Sequence, residues 1–175
     1  MSSYTVEKLD AEGAARSVEA LADVLVDCVE GGASVSFMWP FPREKAVAFW
    51  EKVAASVAHG DTLLFAARDA EGICGTVQLQ MALPENQPHR AEVAKLLVHR
   101  RARRRGIGEA LMRELEVAAD RHDRSLLVLD TASDDADRLY RRMGWTECGV
   151  IPNFALLPDG RPCATIVFWK QVATV

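Results

Sequence analysis

The six residues Arg103-Arg104-Arg105-Gly106-Ile107-Gly108 join a dense cationic run to two glycines separated by one residue. Behind them Ile107, Ala110, Leu111, Leu115 and Ala118 recur at helical spacing, so the glycines stand where a helix begins. The first backbone N–H groups of a helix have no acceptor within it, and the helix dipole adds partial positive charge at that end. Glycine lets an anion come close to such a backbone, and arginine supplies charge and donors. The chemistry implied is a pyrophosphate cradle, made by Arg103 to Gly108 with Glu109 in the same first turn.

Two carboxylates elsewhere have settings suited to proton transfer, and a tyrosine follows close behind them. Glu92 interrupts a strand-like run of Ala91, Val93, Ala94, Leu96, Leu97 and Val98. Burying a carboxylate among such residues is costly and raises its pKa toward that of a useful base. Asp130 closes the apolar strand Leu126 to Asp130, at the end where open α/β sheets place ligand groups. Tyr140 lies in a short helix just after it. Each has a plainer reading: an Arg90 salt bridge for Glu92, capping of the next turn for Asp130, and packing on the sheet for Tyr140.

Other motif readings fit less well. A Walker loop needs Gly-Lys-[Ser/Thr], whereas Ile107, Gly108 and Glu109 follow Gly106. A Rossmann fingerprint needs a small residue where Leu111 stands. A nucleic-acid patch would use Arg100, Arg101 and Arg103 to Arg105, but the chain has 21 Lys+Arg against 25 Asp+Glu, a net charge of −4, and no second basic stripe. Cys28, Cys74, Cys148 and Cys163 are scattered, as are His59, His89, His99 and His122, so no metal site is expected and the cysteines read as free thiols. The start of the chain lacks the pattern of a secretory signal, and no apolar run is long enough to span a bilayer. The expectation is a single cytoplasmic domain over 1–175, monomeric or homodimeric, with neither membrane nor nucleic acid as partner.

The elements that must hold these groups are legible from periodicity. The reading is a strand over Tyr4 to Leu9, a helix carrying Val18, Leu21, Ala22, Leu25, Cys28 and Val29, and a second helix ending near Gly60. Strands are expected at Thr62 to Arg68, Ile73 to Leu83 and Ala91 to Val98, then the glycine-turn helix and the strand Leu126 to Asp130. A helix around Asp135 to Met143 and strands near Thr146 to Ile151 and Thr165 to Lys170 complete the chain. The order β-α-α-β-β-β-α-β-α-β-β describes an α/β fold with a mixed central sheet.

The turn fits [Q/R]-x-x-G-x-[G/A], and segment 136–145 fits A-x-x-[LF]-Y-x-x-x-G-[FYW], with Tyr140, Gly144 and Trp145 at the marked positions. With the element order, these motifs resemble the GNAT superfamily of N-acetyltransferases over nearly the whole chain. The resemblance implies a GNAT fold, a mixed β-sheet flanked by helices whose fourth and fifth strands splay apart. It implies acetyl-CoA as acetyl donor, its pyrophosphate on the Arg103–Gly108 turn and its pantetheine arm on the backbone of Leu96, Leu97 and Val98. It also implies Tyr140 near the thioester sulfur, with Glu92 and Asp130 facing the acceptor. The strings 31–38, 90–93, 129–131 and 158–161 are similar to the tabtoxin resistance group, whose members acetylate an amino-acid-derived β-lactam toxin. Ser34, Phe37 and Trp39, in the loop Gly31 to Trp39, are then acceptor-wall candidates, although the same loop reads equally as a helix connection. The implied activity is direct acetyl transfer to a small amine. A protein lysine or N-terminal acetyltransferase and a non-catalytic acetyl-CoA sensor are the alternatives.

Overall fold

The computed structural model describes residues 3–172, and those residues form one seven-stranded sheet in the order β1-β2-β3-β4-β5-β7-β6. The strands are β1 (Thr5–Leu9), β2 (Thr62–Asp69), β3 (Gly72–Gln80), β4 (Arg90–Val98), β5 (Leu126–Thr131), β6 (Thr146–Leu156) and β7 (Pro162–Gln171). The helices are α1 (Ala11–Arg16), α2 (Val18–Glu30), α3 (Arg43–Ala58), α4 (Ile107–Arg121) and α5 (Asp134–Arg142). The mixed α/β architecture expected from the sequence is the one observed. Pairing is antiparallel except between β4 and β5, which run parallel.

The sheet is buried on both faces. One face carries Phe65, Val77, Leu79, Ala91, Val93, Leu127, Leu129 and Phe168 against Ile107, Leu111, Met112 and Leu115 of α4. The other receives Leu21, Leu25 and Val29 of α2 and Ala46, Trp50 and Val53 of α3 over Leu64, Ala66 and Ile73. Strand alternation sends neighbouring residues to opposite faces, so Ala91 and Val93 go to the α4 side while Glu92 goes to the other.

Several expected boundaries shift. The additional helix α1 starts where Asp10 accepts the Gly13 N–H at 2.7 Å, and its sequence AEGAAR has no apolar stripe to announce it. Strand β3 stops at Gln80, not Leu83, while β6 runs on to Leu156 and β7 begins at Pro162. On α4, Met112 and Ala119 are buried, whereas Ala110 and Ala118 are half-buried. Helix α5 is held mainly by its ends: Ser133 accepts the Ala136 N–H, Asp134, Asp135 and Asp137 crowd the first turn, and Arg141 and Arg142 occupy the last.

Asp69, at the end of β2, fastens the arginine loop to the sheet. Its carboxylate accepts from Arg101 Nη1 at 2.8 Å, from Arg105 Nη1 at 2.8 Å and from the Glu71 N–H at 3.1 Å, and its side chain is 3% exposed. The Arg101 and Arg105 guanidiniums hold this carboxyl far below the usual carboxylate range. Asp69→Asn should lower stability by about 1–3 kcal/mol, the scale of hydrogen bonds to charged groups. In the wild type that increment is complete above the unfolded carboxyl pKa of about 3.9 and is lost as pH falls from there through the lower folded value. Denaturant titrations of both proteins from neutral to acid pH check this, the difference between them shrinking only at the acid end.

Candidate active site

Strands β4 and β5 stay together for three residues. Arg90, Ala91 and Glu92 register with Leu126, Leu127 and Val128, and no pairing follows. Beyond that point β4 remains on β3 while β5 continues on β7 through Asp130 and Thr131. A β-bulge marks the divergence: Thr76 and Gln78 of β3 register with Leu97 and Ala94, so β4 carries one extra residue there. Lys95 lies in the bulge at φ 53°. The gap leaves strand backbone without a neighbour on that edge, where an extended amide-containing chain can take the place of a strand.

The three residues expected to offer backbone, Leu96, Leu97 and Val98, lie on the separated half of β4. Leu97 is buried, while Leu96 and Val98 are half-buried. The Val98 carbonyl already accepts Arg103 Nε at 3.3 Å and the Cys28 thiol at 3.7 Å.

At the mouth of the gap, Gly106 caps α4 in the left-handed conformation (φ 80°) without any side-chain capping bond. The N–H groups of the first turn, at Ile107, Gly108 and Glu109, thus keep the donors that helix geometry leaves unused. A Cβ on Gly108 would lie 3.3 Å from Leu139, so a bulkier residue would crowd the approach to this turn. These features fit a pyrophosphate. The three arginines of the turn are placed differently. Arg105 is turned inward to Asp69 and Arg103 is bonded to the Val98 carbonyl, whereas Arg104 is exposed at φ 60°. The Glu109 carboxylate is drawn to Arg113 at 2.7 Å and Arg142 at 3.5 Å, and the Arg113 pairing lowers its pKa. Only its backbone N–H suits an anion.

The proton-transfer candidates gather around the gap. Glu92 does not have the buried setting expected from its neighbours: its side chain is 46% exposed and pairs with Arg90 Nη1 at 3.0 Å. Its apolar neighbours face the other side of the sheet, so the burial argument does not reach it. Asp130 is two residues beyond Val128, the partner of Glu92, and therefore projects to the same face. It accepts the Thr165 hydroxyl at 2.7 Å, and the helix cap falls to Ser133, not to Asp130. Tyr140 is buried between Trp145 and Phe168, each with its ring centroid 5.8 Å away. Its hydroxyl has no hydrogen-bond partner among the described residues. Burial pushes its pKa well up, and the negative charge of Asp130 adds to this.

The loop Gly31 to Trp39 is pinned at several points. Ser34 Oγ lies 3.5 Å from the Leu156 carbonyl, and the Trp39 indole N–H donates to the Val29 carbonyl at 3.0 Å. The Trp39 ring is 48% exposed, whereas Phe37 packs on Phe41 and Phe49 with centroids 4.6 and 5.4 Å apart. Phe37 thus belongs partly to the α3 side of the core. Two contributors escaped sequence reasoning. Asp69 looked like a turn residue, and Lys95 sat unremarked in a strand; only a positive φ and a long-range contact single it out. Among the described residues no three His, Cys, Asp or Glu side chains are grouped as a metal site.

A family model described as the acetyltransferase (GNAT) family matches residues 19–145. The match covers well over half of the chain, which therefore belongs to the GNAT acetyltransferases and is an acyl-transferring enzyme whose donor is acetyl-CoA. The same fold recurs in an N-acetyltransferase from Staphylococcus aureus Mu50, at 15% identity and TM-score 0.80 over 98% of this chain and 100% of that one. It recurs in a phosphinothricin acetyltransferase from Sinorhizobium meliloti in complex with AcCoA, at 16% identity and TM-score 0.79 over 97% and 89%. A ribosomal-protein-alanine N-acetyltransferase from Brucella melitensis is similar at 20% identity and TM-score 0.77 over 95% and 99%. At such identities the likeness is one of fold.

The cradle can be tested with two variants of one position. Gly106→Asp places a carboxylate at the helix start, and Gly106→Asn imposes similar left-handed backbone strain without charge. Calorimetric titration with acetyl-CoA should show binding abolished in Gly106→Asp and much less affected in Gly106→Asn. Equal losses in the two would refute an anion site at this turn.

Proposed function

We propose that the protein transfers the acetyl group of acetyl-CoA directly to a small, amino-acid-like amine held on the Glu92/Asp130 face of the β4–β5 gap. The observation that carries this reading is the convergence of Asp130 and Glu92 on that face, with the phenol of Tyr140 under the electrostatic influence of Asp130. The coenzyme contributes an acetyl group on a thioester. The pyrophosphate would rest on the N–H groups of Ile107 to Glu109 with the exposed Arg104 beside it, and the pantetheine arm on the free edge of Leu96 to Val98.

The chain's own groups then divide the proton traffic. An ammonium has no lone pair, so the acceptor must lose a proton before its nitrogen attacks the thioester carbon. Asp130 or Glu92 takes that proton, directly or through water, before attack, and the nitrogen sheds its second proton to solvent as the C–N bond forms and the C–S bond breaks. Tyr140 gives its hydroxyl proton to the departing thiolate and recovers one from solvent. Its raised pKa keeps it protonated as a donor across the working pH range. Direct transfer also suits the cysteines: burial pushes the thiols of Cys28 and Cys74 up, away from the nucleophilic thiolate form. All four cysteines are unpaired, which suits a cytoplasmic, reducing setting.

The test is a thiol-release screen with acetyl-CoA against free amino acids, β-lactam amino acids including tabtoxinine-β-lactam, polyamines, aminoglycosides and peptides. Turnover of free amino-acid-like amines supports the reading, whereas turnover of peptides alone would replace it with a protein acetyltransferase. Glu92→Gln and Asp130→Asn identify the base. The responsible substitution should lower kcat by about 10²–10⁴-fold and remove the acidic limb of the pH–rate profile.

Tyr140→Phe should retain acetyl-CoA binding and lose activity toward the low end of that ~10²–10⁴ range, because a thiolate leaves readily even unprotonated. Single-turnover rates in the wild type and Tyr140→Phe separate this step from product release. An unchanged chemical rate would reduce Tyr140 to a packing residue.

A further inference from the structure

The acceptor side of the gap holds a cation that acetyl transfer itself does not require. Lys95, in the β4 bulge, is half-buried, and its side chain reaches the loop between α2 and α3. There its ammonium donates to Ser36 Oγ at 3.0 Å and lies 5.7 Å from the centre of the Phe49 ring. Among the described residues no carboxylate comes within salt-bridge distance of it. Lys170, the other half-buried lysine with a side-chain contact, is tied to the Glu116 carboxylate at 2.7 Å and the Met143 carbonyl at 2.8 Å. An ammonium has three donors, and Ser36 engages one of them. Lys95 and Ser36 also both have positive φ, 53° and 79°, a costly backbone state that clusters at ligand clamps.

The charges around Lys95 point to what would complete it. Burial lowers its pKa, and the field of Asp130 offsets this only in part. Asp130 is therefore near enough to be felt, yet it does not pair with the ammonium; its one hydrogen bond among the described residues is to Thr165. This side of the gap presents a cation and an anion held apart. A ligand with adjacent ammonium and carboxylate groups is complementary to that arrangement, whereas an amine alone leaves Lys95 without a counter-charge.

We propose that Lys95 and Ser36 form a carboxylate subsite, so that the acceptor is an α-amino acid or close analogue, with its carboxylate on Lys95 and Ser36 and its amine directed to Asp130. This rests on the small-amine reading above and names the chemical class within it. The loop from Gly31 to Trp39 thereby acts through Ser36 as well as through the wall residues Ser34, Phe37 and Trp39.

The experiment pairs each proteinogenic α-amino acid with its own α-carboxamide, which keeps side chain and amine and removes the negative charge. For the wild type, kcat/KM should favour the acid over the amide by about 10- to 100-fold, the scale of a charge-assisted hydrogen bond. In Lys95→Met that ratio should fall to near one, through KM more than kcat, and in Lys95→Arg most of it should return. Because the ratio is internal to each variant, a general loss of activity does not mimic the result. Acetyl-CoA titration of each variant reports whether the donor site is intact. Equal use of acids and amides by the wild type, or an unchanged ratio in Lys95→Met, overturns the subsite while leaving the small-amine reading standing. Loss of acetyl-CoA binding in Lys95→Met would make Lys95 a structural residue and overturn it too. Turnover of peptides with no free acid or amide used would instead remove both.

Discussion

The candidate site of this protein depends on two parallel strands failing to stay paired. A parallel ladder normally satisfies every backbone group between its strands, but β4 and β5 part after Glu92 and Val128. The extra residue in β4 absorbs the change of direction while β3 keeps its neighbour. The cost is an edge of unpaired peptide groups inside the sheet, the kind of edge that an extended amide-containing chain can pair with. Asp130 and Lys95 lie on the two strands just beyond the last paired residues, so the same divergence separates them.

Holding that gap open requires a rigid frame, and the arginine loop supplies part of it. Its cationic run looks like a uniform anion-binding patch but is divided in role. Arg101 and Arg105 converge on the buried Asp69 and lock the loop to the end of β2. Arg103 braces the carbonyl of Val98, where β4 ends. What remains for an anion is the uncapped start of α4 and the exposed Arg104. Guanidiniums fixed by a buried carboxylate orient the backbone donors even though their own charge is largely neutralised locally.

Electrostatics on the acceptor side follow from the same geometry. Asp130 is held by a hydroxyl and influences both Lys95 and Tyr140. Burial keeps the phenol protonated and weakens the hold of Lys95 on its proton. The same carboxylate thus acts on a phenol and an ammonium that burial moves in opposite directions.

The sequence alone was enough for the order of the strands and of every helix but the short α1, and for the glycine turn before α4, because these are written in local pattern. The apolar stripe from Ile107 to Leu115 requires a helix, and a glycine with left-handed freedom just before it requires a turn. The places of Asp130 near a strand end and of Tyr140 in the next helix were legible as well. What only the tertiary structure decided was the surroundings of each side chain. Glu92 read as buried because its neighbours are apolar, yet alternation sends them to the α4 face and leaves the carboxylate half in solvent with Arg90. The three loop arginines look alike in a string, and only contact with Asp69, more than thirty residues earlier, sorts them. Lys95 is an ordinary strand residue in the sequence. A bulge set by long-range strand pairing, and a loop from another part of the chain, give it a place in the site. Local periodicity determines which elements form; burial and charge pairing depend on residues distant in sequence, so they are settled only when the chain has folded.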